Sequence, residues 1–237
     1  MYNYRSFHFC PWALAESHSS LFNIIDVNEV PIYSKNTFYR IREIINSHYP
    51  ERFPGADLSA YKFAAVLLDT SDFKIADIAC GHGSGTHLLA GDSHEVIRVD
   101  YSASQIKENQ ARSTNDHVSF IADDACDSAL FSENFLGVIV SMHSMEHFPD
   151  DIAFLINCQK WLKEKGKLLL EVLLLMKYPF KDIGKPLGGK HLREYEIDFF
   201  TNLCGQYFKI KQTFGINRGL YLNSNRSRNA ILLLLEN

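Results

Sequence analysis

The sequence predicts an α/β fold: a doubly wound, mostly parallel sheet with a C-terminal antiparallel hairpin, preceded by a helical lid. Three observations predict it. From residue 59 to residue 174, short apolar runs alternate with stretches of helical spacing, the pattern of strands joined by crossover helices. The first run flows directly into Gly81, Gly83 and Gly85, spaced two apart, a turn in which the missing Cβ lets backbone approach a ligand. The alternation then stops, and residues 208–214 and 229–236 read as two strands joined by a loop rich in Asn, Arg and Ser.

Taken in order, residues 1–56 differ from the rest. They carry Phe7, Phe9, Trp12, Phe22, Tyr33, Phe38, Tyr39 and Tyr49, and Pro11, Pro31, Pro50 and Pro54 cut them into short pieces. Residues 38–45 have helical spacing of apolar residues. This region reads as a lid over the second unit, residues 57–237, or as a helical layer that only packs, since aromatics fill cores and pockets alike. Within 57–237 the expected elements are helix 59–68, strand 75–80, helix 83–90, strand 95–100, helix 103–112, strand 117–122, strand 136–141, helix 151–163 and strand 166–174. Asp150 and Asp151 suit the start of the helix at 151, and Gly166 ends its connection to the next strand. A further helix carries Phe199, Phe200 and Leu203.

Composition sets the class. A chain of 237 residues with 46% hydrophobic content can bury one large core. A formal charge of −4, with Lys and Arg scattered, gives no basic stripe of the kind nucleic acid needs. Five cysteines in no metal-ligand spacing fit a reduced, cytoplasmic protein better than a disulfide scaffold. The first twenty or so residues hold no sustained apolar run, so no secretory signal is expected. The runs 168–176 and 230–235 are too short to span a bilayer and read as buried strands.

The chemistry begins at the glycines. The helix after them offers unpaired N–H groups to a ligand. Asp100 follows Gly81 by 19 residues, at the end of the second apolar run, where a carboxylate suits a ribose diol. A dinucleotide fingerprint would read G-x-G-x-x-G; here the glycines are two apart, with Asp77 four residues before the first. The third strand ends in Asp123-Asp124-Ala125, where an acid can face an adenine amino group. The fourth leads into Ser141-Met-His143-Ser-Met-Glu146-His147, and Trp161-Leu-Lys-Glu-Lys-Gly-Lys-Leu-Leu-Leu follows.

In these elements the chain resembles a class I S-adenosylmethionine-dependent methyltransferase, over about residues 58–236, in the family's order. The resemblance implies a Rossmann-like fold, S-adenosyl-L-methionine as cofactor and S-adenosyl-L-homocysteine as product. It also implies cofactor contacts from Asp77, Ala79, Gly81, His82, Gly83, Asp100, Tyr101, Asp124, Ala125, Ser141 and Met142. Asp77 is expected behind the loop, orienting the methionine ammonium or merely satisfied there. Asp100 is expected on the ribose, with Tyr101 on the adenine edge. Asp124 is expected at adenine, with Asp123 as the alternative.

On the acceptor side, Glu146-His147 resembles the family's "EH" pair, and His191-Leu-Arg193-Glu194-Tyr195 its "H-x-R-E-Y/F" segment. His143, His147 and His191 are candidate catalytic residues; a base at His143, a base at His147 and no base at all stay open. Tyr61, Glu146, Arg193 and Tyr195 are expected to bind the acceptor, although Arg193 and Glu194 can equally cap a helix or pair with each other. His143 to His147 also matches H-x-x-E-H, a zinc pattern that needs one helical face. These residues leave a strand and precede Pro149, so no metal is expected. Gly188-Gly189-Lys190-His191 replaces the family's "NPFH", Gly137 an acid of the fourth strand, and Lys165-Gly166 the "PG-G" before the fifth.

The expected acceptor is a small molecule, such as a secondary metabolite or sugar, methylated at oxygen or nitrogen. Nucleic acid and membrane are not expected as partners, and a homodimer is left open. The rival readings are a nicotinamide-dependent oxidoreductase and a non-catalytic methyltransferase-like binding subunit.

Overall fold

The computed structural model describes residues 59–68, 74–90, 95–127, 129–174, 191–217, 220–223 and 230–237; the expected lid over residues 1–56 lies outside them. The elements are α1 (Ser59–Leu67), β1 (Ile75–Ile78), α2 (Thr86–Ala90), β2 (Val96–Asp100), α3 (Ala103–Arg112), β3 (Val118–Ala122), β4 (Leu136–Met142), α4 (Asp151–Trp161), β5 (Leu162–Leu173), α5 (Ile197–Gly205), β6 (Lys209–Asn217), β7 (Leu220–Asn223) and β8 (Ala230–Glu236). A single 3-10 turn, Met145–His147, lies between β4 and α4.

The strands form one eight-stranded sheet in the order β3-β2-β1-β4-β5-β8-β6-β7. Pairings from β3 through β5 are parallel, and β8, β6 and β7 add on antiparallel. Strand order reverses between β1 and β4, which places a crevice at the carboxyl ends of the parallel strands.

Strand periodicity divides the core into two layers. Ala76, Ile78, Ile97, Val99, Ile139, Leu168, Leu170 and Leu233 pack with Phe154, Cys158 and Trp161 of α4 and Phe200, Leu203 and Cys204 of α5. The alternate residues Ile75, Val96, Val138, Val140, Leu169, Leu232 and Leu234 pack with Ala60, Ala64 and Leu67 of α1 and Leu89 and Ala90 of α2. Burial on both faces explains why these strands read as continuous apolar runs. Helices α3 and α4 start at side-chain caps: Ser102 Oγ accepts from Gln105 N at 3.3 Å, and Asp150 Oδ1 from Ala153 N at 2.8 Å.

Several boundaries differ from expectation. The helix expected over 83–90 begins only at Thr86, because Gly83 has φ +71° and cannot be helical. β4 continues to Met142, so Ser141 and Met142 belong to the strand. β5 starts at Leu162, not 166: Leu136 pairs with Leu162, Val138 with Lys167, and the residues between form a bulge around Lys165, at φ 62°. The polar loop expected between the last strands contains β7, an edge strand paired with β6. Among the described residues Cys80, Cys126, Cys158 and Cys204 are free thiols, and no helix is long and apolar enough to cross a membrane.

Candidate cofactor and acceptor site

The glycine loop is built from buried groups outward. Ala79, Gly81 and Gly83 all have left-handed φ, 58°, 53° and 71°. The chain thus coils back at the end of β1, with Cys80 N bonded to Val99 O and Gly83 N to Cys80 O. Asn109 Nδ2 holds Gly81 O at 2.8 Å, and Arg98 Nη2 holds Gly83 O at 2.9 Å. Arg98 is buried in β2, with its guanidinium 5.4 Å from the centre of the Phe120 ring. It comes so close to Gly83 that a Cβ there would sit 2.6 Å from Nη1. Over Gly81 the reverse holds: an added Cβ would meet nothing within 4 Å among the described residues, which leave an open backbone cradle there.

Asp77 lies beneath this loop, fully buried. Thr86 Oγ1 donates to its Oδ2, and the Tyr61 hydroxyl to its Oδ1 at 3.0 Å. Burial pushes its pKa up to about 6, while the two hydroxyl bonds and the Arg98 charge pull the other way. Asp77 is therefore satisfied by hydroxyls of α1 and α2. Tyr61, expected at the acceptor, instead belongs to the underside of the loop: its ring also lies where a Cβ on Gly85 would be, 2.1 Å away.

Asp100 is partly exposed at the end of β2. Its Oδ2 accepts from Gly81 N and its Oδ1 from Ser102 N, both at 2.9 Å. Each oxygen keeps a lone-pair direction for a hydroxyl donor, so the carboxylate is held facing the cradle. Tyr101 beside it is 84% exposed, and His82 is exposed at the loop tip. At the end of β3, Asp123 Oδ1 accepts from Asp124 N and Asp124 Oδ1 from Cys126 N, both at 2.8 Å. Both acids are exposed turn formers, and Ala125 is buried behind them. Ser141 is fully buried at the carboxyl end of β4, and its hydroxyl has no hydrogen-bond partner among the described residues. The cradle over Gly81, the fixed carboxylate of Asp100 and the unmet hydroxyl of Ser141 fit a nucleoside-bearing ligand laid across these strand ends.

On the acceptor side, two segments are tied together. Leu192 N and Arg193 N donate to Glu146 O, Tyr195 N to Leu173 O, and Leu174 bridges Tyr195. This brings His147 and His191 into edge contact, with ring centres 4.8 Å apart. His143 turns aside: at φ 52° its Nε2 lies 2.7 Å from Oε1 of the buried Glu171 on β5. Glu146 is fully buried, and burial raises its pKa. His191 Nδ1 lies 3.0 Å from Glu194 Oε1.

Arg193 and Tyr195, expected to bind the acceptor, are instead engaged within the protein. The Arg193 guanidinium donates to Phe148 O at 2.7 Å and Pro149 O at 3.1 Å, and lies 3.5 Å from Asp151. The buried Tyr195 donates its hydroxyl to Asp151 Oδ2 at 2.9 Å. Both clamp the loop before α4. Sequence reading missed Arg98, Asn109, Thr86 and Glu171. Arg98 and Glu171 had a signal, since each is a lone charge inside an apolar strand run.

The comparisons with known proteins agree with this architecture. Residues 76–170 match the methyltransferase domain family. Over 178 residues, 74% of this chain and 61% of the relative, the chain is 24% identical to the phthiotriol/phenolphthiotriol dimycocerosates methyltransferase of Mycobacterium leprae. It is 27% identical to phosphoethanolamine N-methyltransferase 1 of Caenorhabditis elegans over 51% of this chain and 25% of that one. With the ubiquinone biosynthesis O-methyltransferase of Xanthomonas oryzae it shares 24% identity over 47% of each chain. The chain thus spans about three-fifths or less of the curated relatives it matches. Among solved structures, a TehB-like S-adenosylmethionine-dependent methyltransferase from Corynebacterium glutamicum aligns with TM-score 0.57 at 15% identity, covering 85% of this chain and 96% of that one. The [4+2]-cyclase SpnF aligns with TM-score 0.65 at 14% identity, covering 80% and 85%. These likenesses carry the fold. The family match over residues 76–170, which hold the glycine loop and the strand-end acids, and the methyltransferase relatives support a class I S-adenosylmethionine-dependent methyltransferase domain here.

Proposed function

We propose that this chain transfers a methyl group from S-adenosylmethionine to an oxygen or nitrogen of a small-molecule acceptor, bound where residues 143–147 meet residues 191–195. The observation that carries the reading is Asp100, held by the Gly81 and Ser102 amides at the edge of an open glycine cradle. The relatives support both acceptor atoms, since those named above include an N-methyltransferase and an O-methyltransferase.

S-adenosylmethionine supplies a methyl carbon on a sulfonium, which is already a good leaving group. The chain's own task is therefore positioning. Asp100 binds the ribose hydroxyls, the Gly81–Gly83 backbone receives the methionine end, and Asp77 fixes that backbone from below through Tyr61 and Thr86. Asp124 or Asp123 takes the adenine amino group. The paired segments at 143–147 and 191–195 hold the acceptor and exclude water. The candidate bases for the acceptor's proton are His143, which pairs with Glu171, and His147, and a transfer with no base is the third case.

Fold alone does not decide the chemistry, because a cyclase shares it. The deciding experiment is binding and turnover together. S-adenosylhomocysteine should raise the melting temperature by mass action, and NAD should not. Methyl-labelled cofactor should mark a metabolite in cell extract. Asp100→Ala should weaken S-adenosylhomocysteine binding by up to about 1.5–3 kcal/mol per lost charge-assisted bond, with the fold intact. Stabilisation by NAD alone would return the site to the oxidoreductase reading, and unchanged affinity in Asp100→Ala would move the ribose elsewhere.

A further inference from the structure

We propose that Glu146, His147 and His191 form a binding site for one divalent first-row transition cation, of the zinc, manganese or cobalt type. One ligand atom from each residue lies within 4.8 Å of the others. Two imidazoles and one carboxylate are a donor set that suits such ions better than magnesium or calcium, which prefer all-oxygen sites.

The carboxylate supplies the independent observation. Glu146 is fully buried. Among the described residues its Oε1 has one long bond, 3.4 Å, from Leu173 N, and its Oε2 has no hydrogen-bond partner. A buried carboxylate oxygen without a donor is costly, and a cation beside it removes that cost.

His191 is prepared in the manner of a metal ligand. Glu194 Oε1 lies 3.0 Å from His191 Nδ1, which fixes the tautomer that leaves Nε2 as the ligand atom. Leu192 N and Arg193 N bonded to Glu146 O lock the two segments in register. Small side-chain shifts then bring the three ligand atoms to coordination distance. His147 is exposed, so the ion has an entry path and keeps open positions. If the methyl-transfer reading holds, an acceptor oxygen or nitrogen would occupy one of them.

This site is not the H-x-x-E-H pattern. A 3-10 turn replaces the helix that pattern needs, and His143 pairs with Glu171. The expectation of no metal rested on the missing helix; the ligand that completes the set comes from a distant segment, His191.

The test is calorimetric titration of the chelator-stripped full chain with Zn(II), Mn(II) and Co(II), plus the absorption spectrum of the Co(II) form. One equivalent should bind. His147→Ala, at an exposed position that leaves the fold intact, and His191→Ala should each weaken binding at least about tenfold. Glu194→Gln should weaken it about 10–100-fold, as loss of an orienting partner does. His143→Ala should bind as wild type. S-adenosylhomocysteine binding, measured on every variant, reports the fold and the methyltransferase reading separately. Absence of one-to-one binding, or wild-type binding in His147→Ala and His191→Ala, overturns the site. Loss of binding in His143→Ala replaces it with the H-x-x-E-H set.

Discussion

Asp77 is held beneath the glycine loop by two hydroxyls, from Tyr61 and Thr86. Burial raises its pKa from 3.8 to about 6, so the folded chain holds this proton more tightly than the unfolded chain. Below pH 3.8 the group is protonated in both states and contributes nothing. As pH rises toward about 6 the unfolded state loses its proton first. Stability therefore falls through this window, by at most about 3 kcal/mol, and levels off above it. Asp77→Asn keeps an acceptor for one hydroxyl and offers a donor to the other, and it removes the titration. Urea midpoints between pH 4 and 7 should show a shallower decline in Asp77→Asn than in the wild type. Parallel declines would mean that other groups, such as Glu146, carry the whole slope. Sequence reading located Asp77, because an acid just before a glycine turn is conspicuous. It could not foresee the partners: Tyr61 and Thr86 meet Asp77 only once α1 and α2 share one face of the sheet. For the same reason Arg98 was passed over as part of an apolar run, although its guanidinium shapes the loop at Gly83.

At the scale of elements, existence and type were legible from periodicity for all but β7, and ends were not. The end of a strand depends on its neighbours. β4 reaches Met142 because β5 offers partners at Leu170 and Glu171, and neither segment states this alone. β7 escaped notice because four residues among Asn and Arg carry too little alternation to stand out. Where local chemistry decides the boundary, the sequence is a good guide: Asp150 was read as a helix start, and it caps α4 through Ala153 N. Asp150→Ala should lower stability by about 0.5–2 kcal/mol. The cap bond itself lies within the first turn of α4, from Ala153 N to Asp150 Oδ1, so S-adenosylhomocysteine affinity should stay unchanged. A denaturant series with a cofactor titration checks both. Weakened cofactor binding would show that the position of α4 is transmitted to the cradle through the loop clamped by Arg193 and Tyr195.

For the whole molecule, the order of the strands in space matters more than their order in the chain. β8, the last strand, does not lie at an edge. It pairs with β5 on one side and β6 on the other, so the antiparallel strands attach to the parallel half through it. Ala230 to Leu235 are all buried, and Leu233 and Leu235 share a layer with Trp161 and Phe200. Asn237 adds backbone bonds to Gly166 and Lys165. A buried Leu or Ile contributes roughly 1.5–3 kcal/mol relative to exposure. Ile231 and the four leucines after it thus account for something near 10 kcal/mol, comparable to the whole stability of a typical domain, about 5–15 kcal/mol. A chain stopped at residue 229 should therefore show no cooperative thermal transition and no S-adenosylhomocysteine binding, although it retains the entire glycine loop, Asp77, Asp100 and Asp124. Circular dichroism melts of the truncated and full chains, with calorimetric cofactor titration, provide the comparison. A truncated chain that still melts cooperatively and binds would mean that the parallel half, β3 through β5, is a self-sufficient folding unit and that the hairpin only covers its edge.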